Sequence, residues 1–163
     1  GAPLTPPALL FSLGMPAMHI HLAETDAEIA GCHPAMQTLR PQIAEADFVS
    51  RIRRQQASGY RLAFVEQDGM AVAVAGFRLG ENLAWGRFLY VDDLVTLPNH
   101  RSQGLGATLL SWLRAFAVQA GCQQLHLDSG LHRADAHRFY EREGMSKRSF
   151  HFAENLAPDG AGG

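Results

Sequence analysis

The chain has 163 residues, 47% of them hydrophobic and 18% charged, values that suit one globular domain able to bury a core. A net charge of -2 and a pI near 6.5 exclude a general affinity for nucleic acid or anionic membranes. Two cysteines, Cys32 and Cys122, lie outside any C-x-x-C spacing, which excludes a disulfide framework and a zinc ribbon and points to free thiols in a reducing, cytoplasmic compartment.

Residues 1–14 are rich in Ala, Pro and Leu and read as a flexible tail, with an apolar patch at Ala8-Leu9-Leu10-Phe11 that is too short to span a membrane. No positive segment precedes that patch, so it does not read as a secretion signal. Gly1 is not an initiator, and Met15 and Met18 are the candidate starts; residues 15–156 read as the domain proper. His19 to Ala23 reads as a first strand. His19 and His21 share one strand face, but further metal ligands are absent from the pattern, and no metal is expected. Thr25 or Asp26 caps a helix, with Glu28 adding early negative charge, and Pro34 interrupts it. Pro41 is expected to open a second helix through Phe48, Val49 and Ile52 toward Gln56, ended by Gly59. Arg51, Arg53 and Arg54 on that helix read as a solvated face or, alternatively, as contacts to a phosphate.

Tyr60–Glu66 and Met70–Leu79 flank Asp68-Gly69, a strong hairpin signature. A second turn is expected at Gly80-Glu81-Asn82, leading through Trp85 into a central strand that runs past Asp92 and Asp93 to Thr96. Pro98-Asn99 turn the chain into Arg101-Ser102-Gln103-Gly104-Leu105-Gly106-Ala107. Leu105, Leu109, Trp112, Leu113, Phe116 and Ala120 then follow at helical spacing, and Gly121 sits where a C-terminal cap belongs. A helix N-terminus carries unpaired N–H groups and partial positive charge. Beside Arg101 and two glycines that permit close backbone approach, it makes an anion site. Two other readings stand beside this one. The loop could be a plain strand-to-helix connection, or a dinucleotide-binding turn with Asp128 as the ribose acid. Against the dinucleotide turn, its third glycine position is Leu109, and Pro98 to Arg101 separate the strand from the glycines. After the helix, Cys122 to Asp128 reads as a further strand, and Ala134 to Glu143 as a helix capped by Gly144. Met145 to Phe152, with Phe150 and Phe152 alternating, is expected to close the sheet, and 157–163 reads as a flexible tail. Strand hairpins followed by a strand–helix–strand unit give an α/β domain.

Two motifs in order carry a resemblance. Arg101-Ser102-Gln103-Gly104-Leu105-Gly106 resembles the acetyl-CoA pyrophosphate loop of the GNAT (Gcn5-related) N-acetyltransferases. Ala136-His137-Arg138-Phe139-Tyr140-Glu141-Arg142-Glu143-Gly144-Met145 resembles that superfamily's second motif, with Tyr140 at its frequent catalytic-acid position. The resemblance implies the GNAT fold. This is a mixed, mostly antiparallel sheet of about six to seven strands with about four helices, whose central parallel strands splay to admit pantetheine. It implies acetyl-CoA as cosubstrate and direct attack by a primary amine in a ternary complex. Backbone groups at Leu94, Val95 and Thr96 would bind pantetheine and the thioester oxygen. Backbone N–H groups from Ser102 through Gln103, Gly104, Leu105 and Gly106 to Ala107, with Arg101, would hold the pyrophosphate. The family often has Asn where this chain reads His132-Arg133, a departure from its pantetheine contact; Ser129 and Arg133 are further candidate cofactor-binding residues.

Such a reaction needs a polarised carbonyl, a neutral amine, a stabilised oxyanion and a proton for the leaving thiolate. Tyr140 would supply that proton. Asp92 and Asp93 are the acidic candidates on the acceptor side. Adjacent strand residues face opposite ways unless a bulge intervenes, so Asp92, in phase with Leu94 and Thr96, is the expected base through water and Asp93 the partner of a cationic acceptor. The alternative is that both are structural, at a bulge or in salt bridges. Expected partners are a small-molecule or peptide amine, with neither nucleic acid nor membrane; a homodimer is compatible. A non-catalytic acyl-CoA sensor on the same fold is the alternative function.

Overall fold

The structure is a computed structural model that describes Pro3 and residues 18–157. The Leu9–Phe11 patch, the candidate start Met15 and tail residues 158–163 lie outside the described residues. The elements in order are β1 (His19–Leu22), α1 (Asp26–Gly31), α2 (His33–Leu39), α3 (Glu45–Gln56), β2 (Tyr60–Gln67), β3 (Met70–Asn82) and β4 (Gly86–Thr96). A 3₁₀ turn (Pro98–Gln103), α4 (Leu105–Gln119), β5 (Gln124–Leu127) and α5 (Ala134–Arg142) follow. Two compact units divide between His126 and Leu127.

One sheet orders its strands β1-β2-β3-β4-β5, with the first three pairings antiparallel. The α4 crossover between β4 and β5 is the connection that parallel neighbours require, and the sheet is mixed. The Asp68-Gly69 hairpin forms as its sequence predicts. Both residues take positive φ (52° and 76°), with Gln67 opposite Met70, as the tight turn compatible with strand twist demands. The second turn falls later than expected. β3 continues through Gly80 to Asn82, and Asn82 Oδ1 accepts from the Trp85 N–H at 2.7 Å, so the asparagine ends the strand by mimicking a backbone turn. Beyond that turn the Trp85 indole stacks on the His126 imidazole, with centroids 3.5 Å apart and planes 12° apart.

The helical expectations hold in part. Thr25 and Glu28 make a reciprocal capping box at α1: Glu28 N–H donates to Thr25 Oγ1 at 3.1 Å and Thr25 N–H to Glu28 Oε1 at 2.9 Å. Pro34 starts α2 rather than bending a longer helix, because its ring is tolerated only in a first turn. Pro41 opens nothing. It lies in the turn before α3, which begins at Glu45. Arg53 ion-pairs with Asp26 at 2.8 Å on an exposed face. Met145 to Phe152 forms no strand. Ser146 to Ser149 are all polar and offer no apolar face to a sheet, and Phe150 and Phe152 stay 75% and 92% exposed. The five-stranded sheet is therefore smaller than the six to seven strands expected.

Alternation along β2 and β3 sorts side chains to two faces. Tyr60, Leu62, Phe64 and Val74 pack with Ile29, Cys32, Phe48 and Ile52 of α1 to α3. On the other face Phe77 meets Trp112 and Phe116 of α4 edge-on, at 6.1 and 5.1 Å between centroids, a favourable ring geometry. Burial pushes the Cys32 thiol up to about 12, so this side chain behaves as an inert apolar group. Phe77, Trp112 and Phe116 are each at most 1% exposed. Phe77→Ala should cost about 3–5 kcal/mol of unfolding free energy; urea denaturation followed by circular dichroism will measure it.

Candidate functional site

β4 delivers the acidic pair, and a register irregularity decides where the pair points. Asp93 lies opposite Gly76 and Val91 opposite Phe77, so Asp92 is the extra residue of a β-bulge. A bulge breaks the alternation of faces, and both carboxylates turn into one polar cluster. Asp93 Oδ1 accepts from Arg40 Nε at 2.9 Å, and Asp93 Oδ2 from the Tyr60 hydroxyl at 2.8 Å. Asp92 Oδ2 accepts from Arg78 Nε at 2.8 Å, and the Asp92 carbonyl from Arg40 Nη2 at 3.1 Å. Arg78 also donates to Gln55 Oε1 and lies over the Tyr60 ring, 5.3 Å from its centroid.

This arrangement corrects the parity argument that separated Asp92 from Asp93. It also distinguishes them in another way. Both oxygens of Asp93 are occupied, and its side chain is 13% exposed; Asp92 is 25% exposed and its Oδ1 has no partner among the described residues. Buried charge is costly unless paired and hydrogen-bonded. Each aspartate has an arginine, so the cluster is electrically balanced rather than acidic. Burial, followed by the Asp93 charge, drives the Tyr60 hydroxyl far above the ordinary phenol range, which fixes it as a proton donor to Asp93.

Arg40, Tyr60, Arg78 and Gly76 were not among the candidates drawn from sequence. Gly76 was the legible signal, because an isolated glycine within an apolar strand marks a bulge or a close approach. A Cβ at Gly76 would overlap the Tyr60 hydroxyl and stand 2.6 Å from Asp93 Oδ2.

The second part of the site begins where β4 ends. Leu94, Val95 and Thr96 pair with Ala75, Val74 and Ala73, and the Leu97 N–H donates to the Val72 carbonyl at 2.8 Å. The 3₁₀ turn then carries Arg101, Ser102 and Gln103 on its exposed side. Gly104 takes φ +72° at the start of α4, a left-handed conformation that favours glycine. No atom lies within 4 Å of where its Cβ would stand. No side chain caps the helix, so the first N–H groups, on Leu105, Gly106 and Ala107, remain available for an anion. The Leu105 side chain is fully buried and anchors the first turn. Gln103 Oε1 accepts from Gln67 Nε2 at 3.1 Å. Its side chain is thereby tied back to β2 while its backbone stays on the loop.

The unit that starts at Leu127 is a compact body of its own and carries the remaining candidates. α5 carries Tyr140, half-buried beside Phe139 with ring centroids 5.2 Å apart. Burial pushes the Tyr140 hydroxyl up from the ordinary phenol range, with Arg133 acting in the opposite direction. Arg133 is exposed at the N-cap of α5. Ser129 Oγ is shielded and has no partner among the described residues. Gly144 (φ +93°) closes α5 as predicted: its N–H donates to Glu141 and the Met145 N–H to the Tyr140 carbonyl. Among the described residues no group of three or more His, Cys, Asp or Glu could hold a metal. No helix among them is long and apolar enough to cross a membrane.

The sequence profile of the Acetyltransferase (GNAT) family matches residues 24–145. The chain belongs to the GNAT family of acetyltransferases. It is 31% identical over 137 residues to the uncharacterized N-acetyltransferase YhdJ of Bacillus subtilis, an alignment covering 83% of this chain and 96% of that protein. It is 36% identical over 98 residues to the aminoalkylphosphonate N-acetyltransferase of Salmonella typhimurium; there the match covers 60% of this chain and spans 62% of that protein. The solved aminoglycoside N-acetyltransferase AAC(6')-Iy, in complex with CoA, shares the fold with a TM-score of 0.77 at 13% identity, over 90% of this chain and 100% of that one. The family's donor is acetyl-CoA, and the uncapped α4 start with its open glycine cradle fits the phosphates of such a ligand.

The Gly76 clearance yields a test. Gly76→Ala should displace Tyr60 from Asp93, leave Asp93 Oδ2 without its donor and lower stability by about 1–3 kcal/mol. Thermal unfolding should show the loss, and alkaline difference spectroscopy should show the Tyr60 hydroxyl titrating at lower pH than in the wild type.

Proposed function

We propose that this protein transfers an acetyl group from acetyl-CoA to a primary amine by direct attack, with α4 and its preceding loop as the donor site. The observation that carries this reading is the α4 start: an uncapped helix N-terminus with left-handed Gly104 facing open space, next to Arg101. Backbone N–H groups from Ser102 to Ala107 and the Arg101 guanidinium hold the pyrophosphate through charge and hydrogen bonds. Leu94, Val95 and Thr96 offer backbone groups to pantetheine, and Ser129 and Arg133 are further contacts. Acetyl-CoA, when bound, supplies the activated acyl group.

Asp92 acts as the base through water, since Oδ1 is the one carboxylate oxygen of the pair without a partner among the described residues. Asp93 has a positioning role, holding Arg40 and Tyr60 around the bulge. Tyr140 protonates the departing thiolate; its raised pKa keeps the proton on oxygen at the pH where amines become nucleophilic. The relatives' names, an aminoalkylphosphonate enzyme and a streptothricin enzyme among them, support an amine acceptor. The free thiols Cys32 and Cys122 suit a reducing, cytoplasmic setting.

Two outcomes test this reading. Gly104→Ala forces a side chain into left-handed backbone, at a stability cost of about 1–2 kcal/mol, and fills the cradle. Calorimetry should show CoA affinity falling at least tenfold while circular dichroism shows the fold retained; wild-type affinity in the variant would remove the donor site from this loop.

Tyr140→Phe should lower kcat by about a hundredfold or more and leave CoA affinity near wild type. The wild-type rate should rise with pH as amine and base lose protons, then fall only above the ordinary tyrosine pKa. That alkaline fall should be missing in Tyr140→Phe.

A further inference from the structure

The bulge cluster carries two arginines whose bonding is incomplete. Arg40 spends Nε on Asp93 and Nη2 on the Asp92 carbonyl; Arg78 spends Nε on Asp92 and Nη2 on Gln55. In both, Nη1 has no partner among the described residues, and the side chains are 40% and 33% exposed. A guanidinium has five donors in a rigid fork matched to carboxylate and phosphate oxygens. Holding it by one edge leaves the other edge aimed, with little rotamer freedom left to lose. The aspartates that hold the two arginines also cancel their charge. A dication approaching this cluster therefore meets no net negative field, contrary to what two unpaired carboxylates would create.

We propose that the acceptor is a small zwitterion. Its oxyanion, a carboxylate or phosphonate, is bound by the free edges of Arg40 and Arg78, and its amine is delivered to Asp92 Oδ1. This inference rests on the reading of the cluster as the acceptor side of the acetyl-transfer site. Arg40 is the main anion contact, being the more exposed and lying over the bulge itself. Asp92 Oδ1 is the only carboxylate oxygen of the pair without a partner among the described residues, so one face supplies an acceptor for an ammonium and donors for an acid. In the reaction the amine nitrogen forms the new bond to the acetyl carbon, the carbon–sulfur bond breaks, the amine proton passes through water to Asp92, and Tyr140 protonates the leaving thiolate. The oxyanion is a handle and is unchanged.

The test compares acceptors of matched length with the full chain and saturating acetyl-CoA: 3-aminopropylphosphonate, 4-aminobutyrate, propylamine and 1,3-diaminopropane. Release of free thiol gives kcat/KM for each. At least a tenfold preference for one or both acids over propylamine is expected, with the diamine no better than propylamine. The comparison between phosphonate and carboxylate identifies which oxyanion the fork prefers. Arg40→Lys keeps the charge beside Asp93 but removes the fork, and should reduce the acid-to-propylamine ratio by about tenfold; Arg78→Lys should reduce it in the same direction. Preference for propylamine or the diamine overturns the zwitterion inference and leaves acetyl transfer standing. An unchanged ratio in both lysine variants overturns the assignment to these arginines. Turnover of none of the four acceptors overturns this inference, and if a wider amine panel is also inert, acetyl transfer falls with it.

Discussion

The hydrogen bond from the Tyr60 hydroxyl to Asp93 is the constraint around which the central sheet is arranged. Reaching Asp93 requires that β3 present no side chain at Gly76, and that β4 carry an extra residue so that Asp92 and Asp93 both enter one cluster. Once a carboxylate is held at 13% exposure it must be matched by a cation, and Arg40, one residue past α2, supplies it. The same guanidinium also binds the Asp92 carbonyl, satisfying a backbone group at the bulge. One local irregularity thus links β2, β3, β4 and the end of α2.

A second economy concerns helix ends. α4 starts with a left-handed glycine and no side-chain cap, whereas at its end the Gly121 N–H returns to Val118 and the Cys122 N–H to Ala117. α5 ends in the same double-bonded manner at Gly144. α2, α3 and α5 also start without a side-chain cap, so what sets the α4 start apart is its left-handed glycine beside Arg101. Gln67, buried on β2, fixes the loop from below through Gln103, so the loop is positioned without spending its backbone donors.

Much of this was legible in the sequence because it is local. The Asp-Gly hairpin, the Thr25–Glu28 capping box, the α4 apolar period and both C-terminal glycines are short-range patterns whose chemistry dictates one conformation. The loop and α5 motifs that carried the family resemblance are of the same kind. What escaped the sequence is non-local. Arg40 and Asp93 are far apart in the chain and meet only because a bulge changes which way Asp92 faces, and a bulge is a property of two strands in register. The Pro41 start failed because proline marks a turn as readily as a first helical residue. The Met145–Phe152 strand failed because two alternating phenylalanines preceded by four polar residues do not define a buried face.

The stacking of Trp85 on His126 gives the molecule two optically distinct tryptophans. Trp112 is fully buried among Phe77 and Phe116, so its emission belongs to the core and changes only when the core opens. Trp85 rests face to face on an imidazole at the outer end of the β3–β4 hairpin, so its emission belongs to that contact. The fold therefore contains separate intrinsic reporters for its core and for the tip of its longest hairpin, readable without any label.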